Sequence, residues 1–139
     1  MNDGAESAVR RLIASDPFAR KLGIELICLS DGAATLRMAA GEDLANFHGT
    51  IHGGCLFALA DAAHAAASNS RGERAVAMHM TIDYLRPAFV GRPLVARAQE
   101  ADRGRTTALY DIRVEEEASG RLVAIAVGRV KISAGEGMS

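Results

Sequence analysis

The sequence predicts a single α+β domain in which one antiparallel sheet is covered by a long helix lying across it. Two observations carry this expectation. Cys55 to Ser68 is alanine-rich, lacks Gly, Pro and Val, and is apolar almost all round, as a helix buried on most of its surface is. Four strand-like runs follow it, and in the first Val76, Met78, Met80, Ile82 and Tyr84 alternate with Ala77, His79, Thr81, Asp83 and Leu85 at the period of a half-buried strand. The sheet needs one face covered and the helix has almost no polar face to expose, so each supplies what the other lacks. A chain of 139 residues, 49% apolar, has the size of one domain with one core.

The elements follow in order. Val9, Leu12 and Ile13 recur at helical spacing, and Ser15-Asp16-Pro17 ends the pattern, giving an N-terminal helix over residues 1–15. Leu22 to Leu29 and Ala33 to Ala39 form a hairpin about Ser30-Asp31-Gly32. Gly41 to Gly54 is a polar loop rich in glycine and histidine. The helix over Cys55 to Ser68 stops at Asn69-Ser70-Arg71-Gly72, residues that tolerate a left-handed cap. Strands are expected at Ala75 to Leu85, Leu94 to Asp102, Thr106 to Glu115 and Arg121 to Ile132, with short links that make consecutive strands antiparallel neighbours. Residues 134–139 read as a loose tail.

Charge and cysteine content narrow the function. Seventeen acids against sixteen Lys plus Arg leave a net charge of −1, too weak a field to attract nucleic acid non-specifically. Cys28 and Cys55 form no C-x-x-C pair and no metal-ligand spacing, which fits a reducing compartment. The first fifteen residues carry Asp3 and Glu6 without a long apolar run, and no segment approaches the roughly 20 apolar residues that span a bilayer. These features predict a cytoplasmic protein with no membrane and no nucleic-acid partner.

Chemistry concentrates where the loop meets the helix. Gly53 and Gly54 stand at the helix start, where backbone N–H groups lack helical acceptors and aligned dipoles add positive potential. Such a place suits a carbonyl oxygen becoming an oxyanion, although an ordinary glycine-rich turn would explain the glycines alone. Asp61 shifts the balance. A carboxylate in the middle of an apolar helix must be paired, hydrated or used, since burying it unpartnered costs several kcal/mol. Phe57, Asp61, His64 and Ser68, spaced four, three and four apart, read as one polar stripe. The structural alternative for Asp61 is a pair with an arginine across the fold. Eight residues of helix separate Gly53 from Asp61 by about 12 Å, too far for both to act on one carbonyl carbon. If both serve one reaction they come from two chains, and a two-fold dimer with antiparallel helices builds that composite site twice.

The run Asn46-Phe47-His48-Gly49-Thr50-Ile51-His52-Gly53-Gly54, with Asp61 in the following helix, resembles the N-x-x-G-x-x-H-G-G…D pattern of hot-dog-fold thioesterases of the PaaI type, named for phenylacetic acid degradation. Asn69-Ser70-Arg71-Gly72 and Thr81-Ile82-Asp83-Tyr84-Leu85-Arg86-Pro87 extend the resemblance over roughly residues 16–132. It implies a sheet wrapped round a central helix, dimers that pair again into tetramers, and hydrolysis of aryl- or arylacetyl-coenzyme A, with medium-chain esters also open. It makes Asp61 the base or nucleophile, Gly53 the amide that polarises the carbonyl, and Asn46 and His52 supports of the site. No cofactor is implied, coenzyme A being part of the substrate. His64 departs from the family, which usually carries an apolar or aromatic residue there.

Other residues fill out the expected site. Gly54, Phe57, His64, Ser68 and Met78, with Met80, are candidates for the substrate wall, and Arg71, Arg86, Arg103 and Arg105 for contacts to coenzyme A phosphates. His48 and His52 are four apart, but Gly49 spoils the helix that a zinc pair needs, so no metal is expected. Cys55 competes as nucleophile, since a thiol near a helix start has a lowered pKa, yet nothing pairs it with a base. The rival functions on the same fold are a non-catalytic acyl-coenzyme A sensor and an enoyl-coenzyme A hydratase or dehydratase.

Overall fold

The computed structural model describes residues 3–137, with side chains through Ser133. Helix α1 (Asp3–Ser15) buries Ala5, Val9 and Ile13, one face at four-residue spacing. A second short helix, α2 (Pro17–Leu22), follows immediately where sequence analysis places only a break. Asp16 and Pro17 explain it. The Asp16 carboxylate accepts from the Phe18 and Ala19 amides at 3.0 and 3.2 Å, and proline at the first helical position lacks only an N–H that would be unsatisfied anyway. Gly23, at φ 73°, closes it in the left-handed conformation.

The hairpin of β1 (Ile24–Ser30) and β2 (Ala33–Met38) forms as expected about Asp31-Gly32. The long helix α3 spans Gly53–Ser68, and β3 (Glu73–Tyr84), β4 (Leu94–Arg103), β5 (Thr107–Glu116) and β6 (Leu122–Gly137) complete the fold. All six strands form one antiparallel sheet in the order β1-β2-β4-β5-β6-β3. This is the hot-dog architecture. Alanines of α3 let its backbone approach the sheet, so Leu59, Ala60, Ala63 and Ala67 pack on Leu36, Met38, Ile112 and Val123 in one core.

Three expectations change. Strands β3 and β4 are not neighbours. The link from Leu85 to Pro93 crosses the fold, placing β4 against β2 and sending β3 to the far edge beside β6. As an edge strand β3 is half-buried only in its middle: Met80 and Ile82 pack on the core, whereas Val76, Met78 and Tyr84 are each more than half exposed, and among its residues only Ala75 is fully buried. Residues 134–137 are not loose, because β6 continues through them until Gly137 stands opposite Glu73. Met138 and Ser139 lie outside the described residues.

The helix is also less enclosed than its composition suggests. The sheet covers one side, burying Leu56, Leu59, Ala60, Ala63, Ala66 and Ala67, while Gly54, Asp61 and Ala65 are exposed. One sheet has only one inner face to offer, so an apolar helix keeps an open flank in a single chain.

Candidate active site

The loop before α3 is built to present the helix start. The Asn46 side chain accepts from the His48 and Thr50 amides at 2.9 and 3.2 Å and donates to Thr50 Oγ1 at 3.0 Å. Gly49, at φ 86°, allows the chain to reverse inside that ring of bonds. His52 then caps α3: its Nδ1 accepts from the Gly54 amide at 2.8 Å, which leaves the ring proton on Nε2. A Cβ at position 54 would lie 3.0 Å from that Nδ1, so the tight cap favours glycine there.

With Gly54 engaged by His52, and the Cys55 and Leu56 amides donating to His52 O, the Gly53 N–H alone in this first turn has no acceptor among the described residues. It borders a cleft of about 300 Å³ lined by Asn46, Ile51, Gly53, Leu56 and the segment from Tyr84 to Ala88. Tyr84, which sequence reasoning did not single out, donates its hydroxyl to Gly53 O at 3.1 Å and holds the turn from the sheet side. Its signal was its place in the Thr81 to Pro87 run. Arg86, expected to contact coenzyme A phosphates, lines this cleft.

Asp61 lies two turns further along the open flank. It makes no ion pair or hydrogen bond among the described residues, so the structural alternative of an arginine partner is not what the chain adopts. Its pKa is raised, first by desolvation against the helix surface and then by the negative charge of Asp16. The side chain is nevertheless exposed at the surface of the single chain.

The expected polar stripe does not form. His64 is 1% exposed and Ser68 3%, while Asp61 faces outward and Phe57 is half-buried. The four positions share one sector of the helix, but that sector straddles the boundary between sheet and solvent, so small angular differences decide burial. His64 packs edge-on to Tyr110, with ring centroids 5.4 Å apart, over Gly128, where a Cβ would come within 2.6 Å of the imidazole. Its Nε2 has no hydrogen-bond partner among the described residues, and burial lowers its pKa to about 4. Ser68 Oγ donates back to Ala65 O at 3.3 Å, a bond within the helix.

Other candidates separate by position. Arg71 and Arg103 are drawn into carboxylates at the opposite end of the sheet: Arg71 pairs with Glu100 at 2.6 Å and Arg103 with Glu73. Arg105 is exposed in the β4–β5 turn at that same end, so within one chain none of the three reaches the Gly53 cleft. Met78 lies 55% exposed on the edge strand. The Cys55 thiol is pushed up by burial and then by the charge of Asp43, the opposite of the lowering expected at a helix start. His48 stacks on Phe47, and no cluster among the described residues has the makings of a metal site.

An open amide at a helix start, a cleft beside it and an unpaired carboxylate on the same helix are the parts of an acyl-transfer site. The chain belongs to the thioesterase superfamily, whose family model matches residues 48–123, and it is a thioester hydrolase. It is 41% identical over 114 residues to the acyl-coenzyme A thioesterase PaaI of Escherichia coli, covering 82% of this chain and 81% of that protein. The solved structure of the E. coli PaaI protein, from the phenylacetic acid degradation operon, superposes with a TM-score of 0.90 at 37% identity, over 96% of this chain and 95% of the other. Human acyl-coenzyme A thioesterase 13 is 29% identical over 127 residues, 89% of this chain and 91% of its own. A thioesterase-like protein of Streptococcus pneumoniae, solved with coenzyme A, matches with a TM-score of 0.75 at 25% identity, over 79% and 85% of the two chains. No helix among the described residues is long and apolar enough to cross a membrane.

Proposed function

We propose that this chain hydrolyses acyl-coenzyme A thioesters at sites shared between two subunits. The observation that carries the reading is the pairing, on one open flank of α3, of an unsatisfied Gly53 amide with an unpartnered Asp61 about 12 Å away. Neither group can serve the other's carbonyl in one chain, and a two-fold partner brings each within reach of its counterpart. The exposed edge strand β3, with Val76 and Met78 uncovered, supplies a surface for that partner. The resemblance to the PaaI family adds a second pairing of dimers.

In the reaction so framed, the thioester oxygen accepts from Gly53 N–H, helped by the α3 dipole, and negative charge develops on it as the carbonyl carbon is attacked. The partner's Asp61 either takes a proton from the attacking water or attacks directly, forming an anhydride that water then opens. The C–S bond breaks, and the thiolate, a good leaving group, departs. His52 and Asn46 do not touch the reacting atoms; they hold the amide in place. The acyl group we assign is aryl or arylacetyl, by similarity to a relative from a phenylacetic acid operon, with medium straight chains as the competing class.

A thiol-release screen over aryl, arylacetyl and straight-chain coenzyme A esters tests the reading. Turnover by the wild-type protein and its loss in Asp61→Asn support it. Equal turnover in the variant would remove Asp61 from the chemistry, and enoyl products without thiol release would mark a hydratase or dehydratase instead.

A further inference from the structure

A pocket of about 110 Å³ lies where α1 packs on the second half of α3. Val9, Leu12 and Ile13 of α1 and Ala65, Ala66 and Asn69 of α3 line it, with Asp16 at one edge. Val9 and Ile13 are buried, whereas Leu12 is 41% exposed and Ala65 lies open on the same flank of α3 as Asp61. Ala65 follows Asp61 by one helical turn, about 6 Å along the axis. Asp16 is near enough for its charge to act on Asp61. The pocket therefore begins one turn beyond the carboxylate, on the side away from Gly53.

Its walls offer burial and almost no hydrogen bonding. Asn69 spends its amide on the backbone: Nδ2 donates to Ala65 O at 2.8 Å and to Ala75 O at 3.1 Å, and Oδ1 accepts from the Ala75 amide at 3.0 Å. Asp16 Oδ1 is turned to its own helix, accepting from the Phe18 and Ala19 amides. The remaining lining side chains are hydrocarbon, the surface that suits an apolar group. A closed apolar cavity of about 150 Å³ binds benzene, so 110 Å³ with an open mouth holds one ring and not an extended chain of about ten carbons.

Symmetry gives the direction in which an acyl group must leave the reacting carbon. In the shared site the partner's Gly53 stands at this chain's Asp61, and the same two-fold places this chain's Gly53 at the partner's Asp61. The stretch between them, around Phe57, is then where the two helices cross, and it is closed to the substrate. An acyl group whose carbonyl is held beside Asp61 runs the other way, past Ala65.

We propose that the acyl group of the substrate lies in the pocket between α1 and α3, where Leu12 and Ala65 limit its length, so that the enzyme prefers acyl groups ending in a single ring over longer straight chains. This rests on the shared-site reading of Gly53 and Asp61.

Calorimetry with acetyl-, phenylacetyl- and decanoyl-coenzyme A tests the proposal in the Asp61→Asn protein, in which turnover is expected to be lost. Phenylacetyl-coenzyme A binds roughly ten- to a hundredfold more tightly than the acetyl ester, the scale of burying one ring, and more tightly than the decanoyl ester. Adding Ala65→Leu, a change at an exposed helix position, fills the mouth and brings the phenylacetyl ester down to the acetyl one. Adding Leu12→Ala instead lowers the wall and shifts preference toward the decanoyl ester. A decanoyl preference without either added change overturns the proposal. So does an Ala65→Leu protein that keeps the ring's advantage or weakens both esters by the same factor, and so does a Leu12→Ala protein with the original order. Thiol release judges the hydrolase reading separately: a wild type that releases none, or an Asp61→Asn protein as active as wild type, would sink that reading, while the ring's advantage and its loss in Ala65→Leu would still locate the acyl group.

Discussion

His64 offers a stability signal that isolates one side chain. In the folded chain the imidazole is 1% exposed, with Nε2 unpartnered, and burial holds it neutral with a pKa of about 4 against an ordinary 6.5. The unfolded chain therefore binds a proton at pH values where the folded chain does not, and stability falls as pH drops from 6.5 toward 4. Working the linkage between those two values gives a loss of about 2 kcal/mol from pH 7 to pH 5, and little further change once both states are protonated. His64→Phe keeps a ring against Tyr110 and removes the titration. Urea unfolding of both proteins at pH 7 and pH 5, at one fixed protein concentration, reads the difference. The wild type should lose about 2 kcal/mol more than the variant over that interval. An equal loss in both proteins would show that His64 is hydrated or paired in solution, and that its packing over Gly128 is not as described.

Other expectations follow from single contacts. Ser70, fully buried, accepts from the Gly32 amide at 2.8 Å and donates to Ala67 O at 2.7 Å, so Ser70→Ala should cost about 1–3 kcal/mol in urea unfolding by stranding a buried donor. Because the Asp61 pKa is raised and its proposed working form is the carboxylate, kcat/KM should fall as pH drops through a midpoint above the ordinary 3.8, and a profile that stays flat through that range would remove Asp61 from the chemistry. Met78→Lys on the exposed edge strand should shift the protein toward monomer in sedimentation and lower activity in proportion, whereas an active monomer would refute the shared site.

Much of the fold was legible because its signals are local. Alternation placed the strands within a few residues, the alanine-rich run placed α3, and the Asn46 to Gly54 motif with Asp61 pointed to the loop and helix on which the proposed site rests. What escaped was non-local or double in meaning. Asp16-Pro17 ends one helix and caps the next with the same two residues, and only the bonds from Phe18 and Ala19 distinguish the roles. Alternation in β3 says nothing of which strand lies beside it, so its edge position, and with it the exposure of Val76 and Met78, could not be read. His64 and Asp61 sit close in helical angle on opposite sides of the burial boundary, a distinction that depends on where Tyr110 and Gly128 arrive from the sheet. The arginines look alike in sequence; Glu73 and Glu100 claim Arg103 and Arg71, and backbone carbonyls hold Arg86 and Arg121.

The central claim, one site built from two chains, is tested most directly by co-expressing two inactive variants. Asp61→Ala removes the carboxylate. Gly53→Pro removes the amide N–H; proline is well tolerated at the first position of a helix, His52, at ψ 135°, already has the backbone that a following proline requires, and the added Cβ would meet the Tyr84 ring at 3.4 Å, an ordinary contact. Each variant alone should be inactive. Random pairing makes about half the dimers mixed, each with one intact site of two, so activity should return to about a quarter of wild type. A mixture that stays inactive while mixed dimers are present would contradict the shared site and place both groups' chemistry within one chain.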